Sequence, residues 1–241
     1  MARAGYVTLL QPQDRKSREA GDRREAIEAR TRLLAAGVGR TVLERLVERV
    51  RPLLQSGSIV ADLGAGSGDA IAAIGVQAAV VGVGIDLSVA AAEHAARQFP
   101  GFTWVVANAD RRLPLLDRSV DLVLSLHGRR NPEECARVLS RAGHLLVGVP
   151  APDDLIELRE AVQGEAFSRG RADAVIAEHA AHFAAIDQFV VREQHLLEHA
   201  AIADLLRGTY RGERRSAASR VTALSSIDVT LASEILLFSR T

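Results

Sequence analysis

The sequence predicts an α/β fold: a mostly parallel sheet with one antiparallel strand and helices on both faces. Three observations predict it. Strand-like and helix-like runs alternate from residue 58 to residue 162, as successive parallel crossover units do. One junction in that stretch is sharply drawn, where the apolar run Ile59, Val60, Ala61 and Leu63 passes at once into Gly64-Ala65-Gly66-Ser67-Gly68 and then into helix-forming residues. The last two strand-like runs, 189–195 and 227–238, have no obvious crossover helix immediately between them, which predicts the antiparallel strand.

Composition bounds the rest. The chain has 241 residues, 48% of them hydrophobic, enough for one well-cored domain with small appendages. Thirty basic and thirty acidic residues cancel, so no global field argues for nucleic acid or an anionic membrane. Lys16 is the only lysine among the basic residues. A single cysteine, Cys135, excludes a disulfide framework or a cysteine-based zinc site within one chain. No apolar stretch reaches spanning length and no signal-peptide pattern opens the sequence, so the expected location is the cytoplasm, with no membrane partner.

Residues 1–20 read as a loosely structured arm. Asp22 with Glu25 three positions on resembles a capping box, starting a helix that runs to about Ala36 and stops at Gly37 and Gly39. A second helix covers about 40–54, with Val42, Leu43, Leu46, Val47 and Val50 on one side. Residues 1–56 are therefore expected to form an N-terminal arm and helical cap, and 57–241 a ligand-binding domain. The second strand covers 78–85 and ends in Asp86; Ser88 caps an alanine-rich helix that Pro100 and Gly101 stop. Strands follow over 102–107, 119–126 and 144–149, with a helix begun by Pro132 between the last two. Asp153 is expected to cap a helix ending near Val162. A short helix around 172–182 carries His179 and His182, but no third metal ligand is evident and no metal is expected. A helix over 196–206 and a basic loop over 208–220 precede the final strand.

The glycine turn carries the chemistry. Glycines let a ligand lie against bare backbone, and the helix that follows offers free N–H groups. Asp86, 22 positions after Gly64, sits where an acid can accept hydrogen bonds from two ribose hydroxyls. The spacing is G-x-G-x-G, and Asp69 beside it would repel a pyrophosphate; Asp62 could hold an ammonium. Asp62, Gly64, Gly66 and Gly68 resemble the first motif, D/E-x-G-x-G-x-G, of class I S-adenosylmethionine (SAM) methyltransferases. That resemblance implies a Rossmann-like sheet, SAM as methyl donor, and a cofactor site formed by Asp62, Gly64, Ala65, Gly66, Gly68, Asp86, Leu87, Asn108, Ala109 and Leu126. Asn108 could bind the adenine edge; a plain turn is the competing reading at that position.

A narrower resemblance extends from about residue 6 onward. Gly21-Asp22-Arg23-Arg24-Glu25, Glu28-Ala29-Arg30 and Leu33-Leu34-Ala35-Ala36-Gly37 look like the helix before the SAM motif in the 23S rRNA guanine-N1 methyltransferases. Val149-Pro150-Ala151-Pro152 with Leu155-Ile156-Glu157-Leu158 looks like that family's segment after the fifth strand. The family includes enzymes that protect antibiotic producers against macrolides. It also carries an N-terminal zinc module with cysteine ligands, whereas the first twenty residues here hold none. The resemblance implies methyl transfer to a ring nitrogen of ribosomal RNA. The neutral net charge and the missing cysteines leave two other readings open: a methyltransferase acting on a small metabolite or antibiotic-pathway molecule, or a non-catalytic SAM-binding partner protein. A homodimer is compatible with each.

Ligands in open α/β sheets bind beyond the carboxyl ends of the strands, so the loop at 127–131 is best placed to touch reacting atoms. His127 is its only side chain that titrates near neutrality, which makes it the candidate base; a pocket-lining or capping role is the alternative. Arg129, Arg130, Tyr210 and Arg211 are candidate substrate contacts. Asn131-Pro132 is similar to the start of the N-P-P-Y motif of exocyclic-amine methyltransferases, but lacks its second proline and its aromatic residue.

Overall fold

The computed structural model describes residues 4–11, 21–163, 170–208 and 225–241. Its strands are β1 (Tyr6–Thr8), β2 (Ile59–Leu63), β3 (Val81–Asp86), β4 (Thr103–Val106), β5 (Val120–Leu126), β6 (Leu139–Pro150), β7 (Phe183–Glu198) and β8 (Ser226–Arg240). They form one sheet in the order β1-β4-β3-β2-β5-β6-β8-β7. The first six run parallel, and β8 alone is antiparallel to both its neighbours, as the sequence predicts. The chain steps outward from β2 to β3 to β4, then returns to β5 on the far side of β2. That reversal opens a crevice beyond the carboxyl ends of β2 and β5.

Alternation along the strands separates two core layers. On one face Val60, Leu122, Leu124, Leu146 and Leu237 pack against α2 (Arg40–Val50), α3 (Asp69–Gln77) and α4 (Val89–Gln98). On the other, Ala61, Val123, Leu145, Val147, Leu236 and Phe238 pack against α5 (Pro132–Val138) and α7 (Ala172–His179). A third cluster lies beyond the sheet. Leu33 and Val38 meet Leu155, Leu158, Leu197, Ile202, Leu205 and Val229 there, joining α1 (Arg24–Ala35), α6 (Ile156–Gln163) and α8 (His199–Arg207). Arg32 on α1 grips Asp204 on α8 in a two-pronged pair, both contacts 2.7 Å. This third cluster forms a cap beside the crevice.

The cap rests on a ribbon that outgrows the sheet. β7 pairs with β8 from Phe183↔Arg240 to Glu198↔Ser226, but β6 pairs with β8 only as far as Pro150↔Ser233. Past that point the backbone groups of β8 need other partners. Thr230 N–H donates to Glu157 Oε2 at 2.8 Å and Ala232 N–H to Asp154 Oδ1 at 3.0 Å. Leu155 N–H and Ala151 N–H donate to Thr230 O and Ala232 O. The segment leading into α6 thus replaces a missing strand.

Several expectations need correction. Part of the N-terminal arm is ordered: Tyr6–Thr8 adds an edge strand, with Tyr6 opposite Trp104. Asp22 does not cap α1. The residue in that position is Arg23, without a side-chain cap, while the Asp22 carboxylate pairs with Arg30. Asp153 pairs with Arg192 at 2.6 Å rather than capping α6. The second helix ends at Val50 and passes into a tight 3-10 turn at Arg51–Leu53. β7 is more than twice the length read from the sequence, because its polar positions face solvent or the cap and hide the apolar alternation. Ser88 does cap α4, accepting the Ala91 N–H at 3.1 Å. Asn131 caps α5 through the Glu134 N–H at 3.3 Å, one position before Pro132.

Candidate active site

The site begins where β2 ends. Gly64, Gly66 and Gly68 all take left-handed backbone angles, φ +77, +55 and +88. A Cβ on Gly64 would lie 3.2 Å from Gly128 Cα, and one on Gly128 would lie 2.6 Å from Leu63 O. The loops after β2 and β5 therefore touch backbone to backbone at the switch point. A Cβ on Gly66 would meet nothing within 4 Å, so this turn is bare on its cleft side.

Two carboxyls flank the turn, Asp62 buried and Asp86 half-buried. Asp86, at the tip of β3, accepts the Gly66 N–H at 2.8 Å with one oxygen and the Ser88 N–H at 2.7 Å with the other. Each oxygen keeps a second lone pair for an incoming hydroxyl. Burial raises its pKa, while these two backbone bonds oppose the rise. Asp62 is 2% exposed, and its carboxyl meets no hydrogen-bond partner among the described residues. Burial, and secondly the charge of Asp86, push it up to about 7. A buried carboxyl without a partner is costly unless a cation or donor arrives.

Both acids, Gly64, Ala65, Gly66, Leu87, Asn108, Ala109, Leu126, His127, Arg129 and Arg130 line one cleft of about 1690 Å³. Small-ligand sites usually span about 300–1,000 Å³, so this cleft has room for a nucleoside-sized ligand and a second reactant. Gly68 is the exception among the residues read as a cofactor site: it faces Trp104 in the core rather than the cleft. Asn108 Oδ1 accepts the Asp110 N–H at 3.0 Å, so the turn reading holds for that side-chain atom.

The loop after β5 brings His127 into the cleft, its Nε2 3.1 Å from Ser233 Oγ on β8. The ring is crowded by protein yet open to the cleft; burial, then the Arg171 guanidinium, push its imidazole down to about 4. Cleft water softens the burial effect, and the direction is the same either way: a neutral ring at pH 7. The two arginines differ. Arg129 projects outward, its side chain 87% exposed and 3.2 Å from Asp110. Arg130 is tucked in at 9%, its Nε donating to His179 Nε2 at 3.2 Å. His179 is fully buried, held by Val175 O at 2.7 Å and stacked on Phe238. Tyr210 and Arg211 lie outside the described residues.

Ser233, Arg171 and Glu193 carry no signal in the sequence, and Gly21 reads there only as part of the segment leading into the first helix. A Cβ on Gly21 would lie 2.6 Å from Ser88 N, so only glycine lets the start of the cap sit on the corner beside Asp86. Glu193 on β7 receives the N–H groups of Gly39 and Thr41 and so caps α2 from across the cleft. No local pattern announces that contact.

The residues present fit SAM. A bare glycine turn, an unpartnered buried acid for its ammonium and a second acid with spare lone pairs for its ribose meet at the switch point. Fold and site together define a class I SAM-dependent methyltransferase. The family described as "Methyltransferase domain" matches residues 60–147. The chain is 32% identical over 239 residues to the Streptomyces fradiae 23S rRNA (guanine(748)-N(1))-methyltransferase, covering 96% of this chain and 84% of that one. It belongs to the 23S rRNA guanine-N1 methyltransferase family. A Micromonospora griseorubida chain provisionally named for the same guanine-N1 reaction is 35% identical over 173 residues, covering 66% of this chain and 58% of its own. Among solved structures, a Thiobacillus denitrificans SAM-dependent methyltransferase in complex with S-adenosyl-L-homocysteine shares the fold. Its TM-score is 0.53 at 16% identity, over 83% of this chain and 90% of that one. No helix among the described residues is long and apolar enough to cross a membrane.

Proposed function

We propose that this enzyme transfers the SAM methyl group to N1 of a guanine in 23S ribosomal RNA. The observation that carries this reading is the identity to the S. fradiae enzyme over nearly the whole chain. Bound SAM supplies a methyl group already activated by its sulfonium. Asp62 holds the ammonium, and its carboxyl ionises fully in doing so. Asp86 takes the ribose hydroxyls while bracing the glycine turn. Leu87, Ala109 and Leu126 flank the adenine, with Asn108 beside its edge.

The chain's remaining tasks are to align the acceptor nitrogen, exclude water and remove one proton. His127 stands in the cleft as the proton acceptor. Its neutral ring is ready across the physiological range, at some loss of driving force relative to a base that titrates near 7. Arg129 and Arg171 stand at the cleft for the RNA backbone. Within the cap, Gly21, Arg30, Leu33, Val38 and Val42 line one side of the cleft beside the SAM-binding residues, and the protein works in the cytoplasm.

The test is methyl transfer from labelled SAM to a 23S rRNA transcript, followed by nuclease digestion and chromatography of the nucleosides. The expected product is 1-methylguanosine. Label appearing only in small-molecule extracts would overturn the RNA assignment.

A further inference from the structure

The loop after β5 contains a left-handed residue that is not glycine. His127 has φ +54, a left-handed conformation that a bulky side chain adopts only under strain. The strain is held in place by the His127 N–H, which donates to Gly148 O at 2.8 Å, and by Gly128 wedged against Leu63 and Gly64. Its effect is to send the imidazole into the cleft, within 3.1 Å of Ser233 Oγ. Ser233 lies opposite Pro150 of β6 and Val191 of β7, at the point where β8 leaves its pairing with β6. The one antiparallel strand thus delivers a hydroxyl to the crevice.

We infer that Ser233 is a positioning residue for His127: its Oγ accepts a hydrogen bond from Nε2–H, fixes that tautomer and leaves Nδ1 bare towards the methyl acceptor. This rests on the methyltransferase reading above. A free ring would populate both tautomers, and the form with Nδ1–H would turn a proton against the proton it has to take. With Nδ1 bare, the acceptor N–H bond breaks and its proton passes to Nδ1. The nitrogen lone pair bonds the methyl carbon, and the C–S bond breaks with its electrons left on sulfur. The positive charge that began on the sulfonium ends on the imidazolium, and the sulfur product is a neutral thioether. The Nε2–H to Oγ bond then becomes charge-assisted and stronger. That opposes the destabilisation of the imidazolium by burial and by Arg171. The logic is that of a base oriented by a third group.

The test uses the full chain and its Ser233→Ala and Ser233→Thr variants. Ring 15N shifts of His127 need no RNA. They should show Nε2–H in the parent and in Ser233→Thr, and a tautomer mixture in Ser233→Ala. With a 23S rRNA transcript, Ser233→Ala should lower kcat about ten- to hundredfold and leave KM for SAM unchanged; Ser233→Thr should recover most of the loss. An Nδ1–H parent ring overturns the inference even if RNA is methylated, and so does an Ser233→Ala enzyme with full kcat. An Nε2–H parent ring with no RNA methylation upholds the tautomer assignment and overturns the guanine reading instead.

Discussion

The indole of Trp104 occupies the place where a Cβ on Gly68 would lie, its Cη2 2.5 Å from that position. Gly84 on β3 yields to the same ring, whose Cζ3 comes within 2.2 Å of its own absent Cβ. The ring is buried at 2%, donates Nε1–H to Phe99 O at 2.9 Å and meets Phe102 edge-on. It cannot step aside cheaply. The third glycine of the motif is therefore a packing glycine, which lets the Trp104 ring lie close under the turn.

Gly68→Ala should destabilise the fold through both overpacking and φ +88, together about 2–4 kcal/mol. Urea unfolding measures it. Trp104→Phe shortens the ring, and in the Gly68→Ala background it should restore part of the loss. Strictly additive single and double variants would show that the two residues do not press on each other.

Gly66→Ala should behave in the opposite way. Its Cβ meets no atom within 4 Å, so only the left-handed angle opposes it, at about 1 kcal/mol. The methyl group would stand in the cleft where the ligand lies against the backbone. Calorimetry should find a folded protein with SAM binding lost or reduced by at least tenfold. Binding at parent affinity would place SAM elsewhere.

These two glycines mark the limit of what the sequence reveals. Period and spacing expose the strand, turn and helix, the acid at the tip of β3, the Ser88 cap and the antiparallel strand, because each is a local pattern. They do not separate Gly66 from Gly68, since the difference lies in Trp104, 36 residues on. Asp22 fits the local rule for a helix cap, but Arg30, further along the same helix, takes its carboxylate instead. Glu193 and Ser233 are invisible in the sequence because each acts on a residue more than 100 positions away. β1, three residues long, carries too little periodicity to be read.

Asp62→Asn should exchange function for stability. The folded carboxyl titrates at about 7 against an unfolded value near 3.9, so between those values the folded state binds the extra proton. Stability from this group is present below about pH 4 and is lost as pH rises towards 7. Removing the charge should therefore stabilise the ligand-free protein at pH 8 by roughly 1–4 kcal/mol and have little effect at pH 4. SAM affinity should fall at the same time. Denaturant unfolding at the two pH values gives the first quantity and calorimetry the second. An equal effect at both pH values would mean that the empty site does not raise the Asp62 pKa.

Arg129 and Arg130 are adjacent and look equivalent in sequence, but should respond differently to salt. Arg129 reaches solvent with only a weak surface pair to Asp110, and Arg171 is exposed at the cleft with no hydrogen-bond partner among the described residues. Each is free to take a phosphate. Arg130 instead ties the loop after β5 to α7 through His179 and Glu178. If RNA docks at this cleft, Arg129→Ala and Arg171→Ala should each lower the slope of log binding constant against log salt by about 0.7–0.9. Folding should be untouched in both. Arg130→Ala should leave the slope nearly unchanged and lower thermal stability, because it leaves buried His179 Nε2 without its donor. Filter binding of a 23S rRNA hairpin between low and moderate salt reads the slopes. Unchanged slopes in both exposed variants would move the RNA away from this face. A slope change in Arg130→Ala as large as theirs would mean that its side chain leaves His179 to meet the backbone phosphates.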